Sequence, residues 1–249
     1  MNGGFIEGMS EAVQRHLELC YRTEVSDSHV PFLKAQASDV HAFYCGVWGE
    51  YTRSLFECVC HLVRCERSLT AWAKVVPSLD EDVRLTCLAD YAYPVLRLAC
   101  DTPTAFKDRL MRGAVKLTAL ARGDHSLIEA VAGDEDGRKV DWIKQFGRLR
   151  DTEPSSSALC DHVEGELYRS VDAGHFRALH GSALHDASPT LMAGNKTAFA
   201  LPGGLLCSGW EGPLGLNEEL EAIGRHRLSI QRGYLLFDEY ARGLFERLG

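Results

Sequence analysis

Residues 38–76 read SDVHAFYCGVWGEYTRSLFECVCHLVRCERSLTAWAKVV. Large apolar side chains recur in this stretch mostly three or four residues apart, at Phe43, Val47, Tyr51, Leu55, Val59, Leu62 and Leu69. This spacing is the period of an amphipathic α-helix. Ser38 is a suitable N-cap, and Pro77 follows the last residue of the pattern. The stretch therefore predicts one long helix, and we expect it to be the central element of an all-α, single-domain helical bundle.

Helix signals also dominate the rest of the chain, whereas alternating strand patterns are nearly absent. Pro94 lacks an amide hydrogen and predicts a kink, while Thr102 followed by Pro103 is typical of a helix start. Gly123 is expected to end that helix. The remaining helices are predicted at Glu11–Tyr21, Glu81–Cys100, Thr102–Arg122, Arg138–Leu149, Ser157–Val171, His175–Leu184 and Asn217–Leu248.

Residues 187–216 are rich in glycine and proline and form the least helical part of the chain. Thr197–Leu201 fits either a short strand or an extended cover over the bundle. A loop of this length in a compact domain is usually functional or flexible. We expect one domain over residues 1–249, with an N-terminal helix and loop (1–37), the bundle (38–186), a loop-rich cover (187–216) and a C-terminal helix (217–249).

The charge balance limits the possible partners. The formal net charge is -8 and the isoelectric point is near 5.7, which argues against a broad electrostatic grip on nucleic acid. Two modest basic clusters are interpreted as solvated helix faces. They consist of Lys144, Arg148 and Arg150, and of Arg225, Arg227 and Arg232.

The cysteines and the N-terminus indicate a reducing compartment. The first residues show no basic segment followed by an apolar run and a cleavage site. The nine cysteines form no paired Cys-x-x-Cys units, and Cys58, Cys60 and Cys65 fall within one helical pattern. We therefore expect reduced core thiols and a cytoplasmic location. No apolar run approaches the length that spans a membrane.

The most unusual segment is residues 168–188, which read YRSVDAGHFRALHGSALHDAS. His175, His180 and His185 lie five residues apart, and five residues turn a helix by about 500°. The three rings would then lie on different faces, which argues against one three-histidine metal site. Arg169 with His175, and Arg177 with His180, could instead supply a phosphate-binding cation and a general acid or base. The alternative is a set of hydrogen-bonded packing histidines with surface arginines.

Two stretches carry a resemblance to a known superfamily. A long helix with RSLFE at residues 53–57, followed by FRALHGSALHDAS at residues 176–188, resembles bacterial helical proteins of the HEPN-like type, including abortive-infection proteins. That resemblance implies a helical bundle, often dimeric, and in many members a metal-independent ribonuclease. It also implies no cofactor and, as partners, RNA or another protein.

The family motif is an arginine and a later histidine with four to six residues between them. Arg169 and His175 have five residues between them and fit, although Ser170 stands where the family prefers Asn, Asp or His. Arg177 and His185 have seven residues between them and depart from the spacing. The resemblance implies attack of a ribose 2′-hydroxyl on the adjacent phosphate, with His175 handling the proton and Arg169 stabilising the charge.

An iron-dependent oxygenase built in a helical bundle is a second hypothesis. Glu57 and His61 are spaced for one helix face, and Asp161 and His162 on a later helix could complete a site. Glu50 and Glu166, or His180 and His185, are further candidate ligands. The simpler interpretation of Glu57 is a helix salt bridge with Arg53.

A non-enzymatic interaction module is a third hypothesis. In this interpretation the glycine-rich cover and the amphipathic last helix form a protein interface. Trp210, Leu205 and Leu206 would serve as its anchor. The alternative is that these side chains pack over the bundle.

Overall fold

The computed structural model of the protein describes residues 3–35, 41–124, 127–128, 141–169, 196–200, 206–210 and 216–248. Most of these residues are helical, and the predicted all-α class is confirmed. The helices are α1 (Gly3–Arg22), α2 (Ala42–Val75), α3 (Glu81–Cys87), α4 (Tyr93–Arg122), α5 (Trp142–Thr152), α6 (Ser157–His162) and α7 (Leu216–Glu246).

Several shorter elements join the helices. Two π-helical segments, Leu88–Ala92 and Val163–Arg169, follow α3 and α6 directly. Short 3-10 turns at Val76–Ser78 and Pro154–Ser156 follow α2 and α5. Lys196–Ala200 (β1) and Leu206–Trp210 (β2) pair as an antiparallel hairpin. Of the two alternatives for this region, the strand is the one observed.

The long central helix predicted from the apolar repeat is confirmed. Helix α2 has 34 residues and is therefore about 50 Å long. It begins at Ala42, and Ser38, the predicted cap, lies outside the described residues. At the other end Pro77 lies inside a 3-10 turn, because proline cannot donate the next helical hydrogen bond. Helix α1 begins at Gly3, eight residues before the predicted start at Glu11.

The two prolines in the region of α4 behave differently from each other. The interruption expected at Pro94 is present as the π-helical segment Leu88–Ala92 just before it. The helix start predicted at Thr102 and Pro103 is wrong, because α4 continues through Pro103 to Arg122. An internal proline costs about 3 kcal/mol. Burial of Phe106 and Leu110 just beyond it offsets that cost, at about 1.5–3 kcal/mol each.

The predicted end of α4 at Gly123 is confirmed. Gly123 has a φ of 65°, a left-handed conformation that glycine adopts without steric cost. The amide of Asp124 donates to the carbonyl of Ala119, and the amide of Gly123 donates to the carbonyl of Leu120. This pair of hydrogen bonds is the Schellman motif, which satisfies the last free carbonyls of the helix.

The described residues divide into two compact units, and α2, α4 and α7 contribute residues to both. The first unit draws on residues 1–26, 62–101 and 175–225, and the second on residues 27–61, 102–174 and 226–249. Buried in the first unit are Leu69, Trp72, Cys87, Ala99 and Ile223. Buried in the second are Trp48, Leu55, Phe106, Leu110, Tyr234 and Phe237.

The expected core thiols are confirmed for Cys58 and Cys65, which are both buried. Cys60 is partly exposed, and every cysteine of the described helices is a free thiol. A search of the described helices finds none that is long and apolar enough to cross a membrane.

The second unit depends on a close approach at Gly113 of α4. A Cβ atom at this position would lie 2.8 Å from the ring of Tyr51 on α2 and 2.9 Å from the ring of Phe237 on α7. Such distances are shorter than van der Waals contact. The two aromatic rings therefore occupy the space that a side chain on α4 would need.

Gly113→Ala is expected to destabilise the protein by about 1–3 kcal/mol, because an extra methyl group overpacks a filled core. Gly147→Ala on α5 is the matched control. A Cβ atom at Gly147 would meet no neighbouring group within 4 Å, so alanine should stabilise the protein by about 0.5–1 kcal/mol. Urea unfolding followed by circular dichroism measures both changes. Equal stability of the two variants would contradict this account of the packing.

Candidate functional site

The structure places only one end of the histidine-rich motif. Arg169 is the last residue of the π-helical segment Val163–Arg169, and its side chain is outside the described part of the chain. His175, Arg177, His180 and His185 also lie outside the described residues. The pairing of Arg169 with His175 therefore stays a prediction.

The segment that carries Arg169 leaves α geometry immediately after α6. The helix predicted for Ser157–Val171 is α-helical only to His162 and then π-helical to Arg169. Val163 and Leu167 are buried and hold this segment in the second unit. π-Helical turns are rare and occur frequently at functional sites.

His162 packs tightly against α7 at the start of this segment. Its Nε2 lies 2.9 Å from the carbonyl oxygen of Ser229, to which it donates a hydrogen bond. A Cβ atom at Gly233, one turn further along α7, would lie 3.1 Å from the same Nε2 and 3.0 Å from the ring of Phe106. The absence of a side chain at Gly233 thus makes room for the imidazole.

Burial keeps the His162 ring neutral near pH 7. Desolvation is the largest influence and lowers the pKa of His162 below 6.5. The hydrogen bond to Ser229 and the charge of Glu166 oppose this shift, whereas the charge of Arg232 adds to it. With the proton on Nε2, the buried Nδ1 carries a lone pair and has no hydrogen-bond partner among the described residues. The ring could therefore accept a hydrogen bond or a proton at Nδ1.

The residues proposed for an iron site are not brought together. Asp161 forms a short ion pair with Arg150, and His162 is bonded to the Ser229 carbonyl. Within the described ranges, no group of three or more His, Cys, Asp or Glu side chains has an arrangement that could hold a metal ion. Glu57 and His61 of α2 are accordingly not part of such a group.

The helix salt bridge expected between Glu57 and Arg53 is not observed either. Glu57 and Arg53 line one open groove on α2, together with Glu50 and Ser54. No ion pair between Arg53 and Glu57 occurs in this described part of α2. Exposed ion pairs of this kind contribute little to the stability of the fold, because ordering two long side chains costs conformational entropy.

The basic clusters predicted to be solvated faces are exposed except at Arg227. Arg150 contacts the carboxylates of Asp161 and Glu164. Arg225 pairs with Glu221 one turn earlier on α7. Arg227 is buried, and it donates to the backbone carbonyl of Asp27. Arg150 and Arg225 are thus partly neutralised, whereas Lys144, Arg148 and Arg232 have no carboxylate partner among the described residues.

A cysteine–histidine contact in the first unit was not anticipated from the sequence. On α1, the Sγ of Cys20 lies 3.2 Å from the Nε2 of His16, and the ring of His16 stacks on Trp72. Burial raises the pKa of Cys20 despite opposing contributions from Ser68 and Arg67, and it lowers the pKa of His16. The pair is therefore a neutral thiol beside a neutral ring, which is a packing contact rather than an activated nucleophile. In the sequence, only the four-residue spacing of His16 and Cys20 indicates that the two side chains can meet on one helix face.

Three buried carboxylates of the described residues were also missed, namely Glu153, Glu219 and Asp238. Glu219 of α7 is only 1% exposed. In the second unit, Glu153 accepts a hydrogen bond of 2.7 Å from Ser155 and forms ion pairs with Arg122 and Arg247. Burial acts to raise the pKa of Glu153, but these hydrogen bonds and charges outweigh it and lower the pKa overall. Helix-forming charged residues of this kind carry no local sign of burial in the sequence.

Acidification is expected to lower the free energy of unfolding, because His162 binds a proton more readily in the unfolded chain than in the fold. The folded-state pKa lies below 6.5, so the unfolded chain binds more protons, and stability falls as the pH drops below 6.5. His162→Gln removes this titration and should show a smaller loss of unfolding free energy between about pH 7.5 and about pH 5.5. The exposed His29 supplies the control variant, His29→Gln, which should keep the wild-type slope. Identical pH dependence of wild type and His162→Gln would contradict the assignment.

Comparisons of this chain with models of protein families, with curated proteins and with solved structures find no match in any of the three.

Proposed function

We propose that this chain is a HEPN-like helical protein that cleaves RNA without a metal ion, using Arg169 and His175. One observation carries the proposal. Arg169, the first residue of the predicted motif, lies on a rare π-helical segment that is held in place by buried residues. The RSLFE stretch that contributes to the resemblance lies on the long helix α2 of the same all-α chain.

The proposed chemistry needs only the two side chains and the RNA. His175 removes the proton from a ribose 2′-hydroxyl, and the 2′-oxygen attacks the adjacent phosphorus. The bond from phosphorus to the 5′-oxygen breaks, and His175 returns the proton to that oxygen, giving a 2′,3′-cyclic phosphate and a 5′-hydroxyl. The Arg169 guanidinium stabilises the negative charge that develops on the phosphate oxygens. In a homodimer, two such pairs would lie in one assembly.

The charge of the protein makes a selective substrate the better proposal. The net charge of -8 opposes generic binding to polyanions. Of the described arginines, Arg150, Arg242 and Arg247 are already bound to carboxylates. A defined RNA of the bacterial cell is therefore a better candidate substrate than bulk nucleic acid.

Inducible expression in bacteria tests the proposal. Wild-type protein should arrest growth and fragment total RNA, and Arg169→Ala or His175→Ala should abolish both effects, because each removes one of the two reacting groups. A loss of about 10²-fold or more in cleavage rate is expected for the proton-transfer residue. Purified protein should retain the activity in the presence of a metal chelator.

Three further variants sharpen this test. His180→Ala and His185→Ala identify the reacting histidine if His175 is not the one, and His29→Ala changes an exposed histidine outside the motif. All variants must retain the wild-type circular dichroism spectrum. Intact RNA and normal growth with the wild type, or cleavage that survives Arg169→Ala and all three motif histidine variants, would refute the proposal.

A further inference from the structure

The contact between His162 and α7 is made with one turn of that helix. In an α-helix, the carbonyl of Ser229 accepts a hydrogen bond from the amide of Gly233, four residues later. The Nε2 of His162 reaches the same carbonyl at 2.9 Å. It does so directly above Gly233, where a Cβ atom would be 3.1 Å away. The imidazole ring therefore packs directly on the backbone of this turn and forms a hydrogen bond to it.

Within the described part of the chain, the hydrogen bond to Ser229 is the ring's one polar anchor. His162 is 5% exposed, and its other nitrogen, Nδ1, has no hydrogen-bond partner there. The ring of Phe106 also lies beside Gly233, but it offers no hydrogen bond. A phenyl ring could therefore occupy the same volume, yet it could not bond to the carbonyl.

The chain beyond this anchor leads directly to Arg169. His162 is the last residue of α6, and Val163 begins the π-helical segment that ends at Arg169. Val163 and Leu167 are buried along the way. An ordered helical segment transmits the position of its first residue to its last. Arg169 lies seven residues beyond His162 on this continuous stretch of helix.

We propose that His162 is a positioning residue, whose bond to the Ser229–Gly233 turn of α7 fixes the segment that presents Arg169 for RNA cleavage. This inference rests on the proposed function for the role of Arg169. Its structural part, the anchoring of residues 163–169, stands independently of any activity. Gly233 is part of the same contact, because a Cβ atom there would lie 3.1 Å from Nε2 and the ring would have to shift by a few tenths of an ångström.

Hydrogen exchange and steady-state kinetics test the two parts separately. His162→Phe and Gly233→Ala should each accelerate amide exchange in residues 163–169 by about tenfold or more, while the exchange of α2 stays unchanged. His162→Gln keeps a side-chain amide donor and should restore part of the protection. Gly243→Ala is the control on the same helix, since a Cβ atom at Gly243 would meet no neighbouring group within 4 Å.

With RNA as the substrate, His162→Phe should lower kcat by about 10- to 100-fold, because a small misplacement of a catalytic group is costly. KM should change by no more than about twofold, and His162→Gln should recover part of kcat. A purely structural role would lower the fraction of folded enzyme without this selective effect on kcat per folded molecule.

The outcomes separate this inference from the proposed function. A wild-type protein that cleaves no RNA overturns the proposed function, and with it the role of Arg169, while exchange still tests the anchor. Unchanged exchange of residues 163–169 in both His162→Phe and Gly233→Ala overturns the anchor. Faster exchange with an unchanged kcat overturns the link to Arg169. If His162→Phe does not fold, Gly233→Ala and His162→Gln supply the same measurements.

Discussion

The second unit is organised by the bare backbone of α4 at Gly113, against which Tyr51 and Phe237 press their rings. A methyl group there would force one ring away, and the side chains beyond it would have to move as well. Gly233 repeats the arrangement with Phe106 and His162. Each glycine destabilises its helix by about 1 kcal/mol relative to alanine, but the missing side chain allows the neighbouring rings to pack closely.

Elements with a regular apolar period could be predicted from the sequence alone. Helices α2 and α7 are of this kind, because most of their periodic apolar residues are buried, although Phe43 at the start of α2 is exposed. Predictions from local sequence signals were wrong where tertiary packing outweighed the local conformational preference. Pro103 has the features of a helix start, but burial of Phe106 and Leu110 keeps α4 continuous through it. The hairpin could not be decided from the sequence, since β1 and β2 have weak strand patterns.

The candidate site was predictable only as a motif. The spacing of Arg169 and His175 can be read directly from the sequence, whereas the environment of His162 cannot. The partners of His162 lie on α7, 67 residues away for Ser229, and no local pattern joins them. The pairing of Glu153 with Arg247 is equally hidden, because the two residues are far apart in the sequence. Long-range polar contacts of this kind decide which charged residues are buried, and composition does not reveal them.

The π-helical segment at Val163–Arg169 has a consequence for the evolution of this chain. A π turn accommodates one residue more than an α turn. Deleting a single residue there would return the segment to α geometry, while the flanking turns would keep their faces. Natural variation in length at this position would then be absorbed locally, without a change of helix face. Relatives could differ in which side chain occupies the position of Arg169 while their buried residues stay the same.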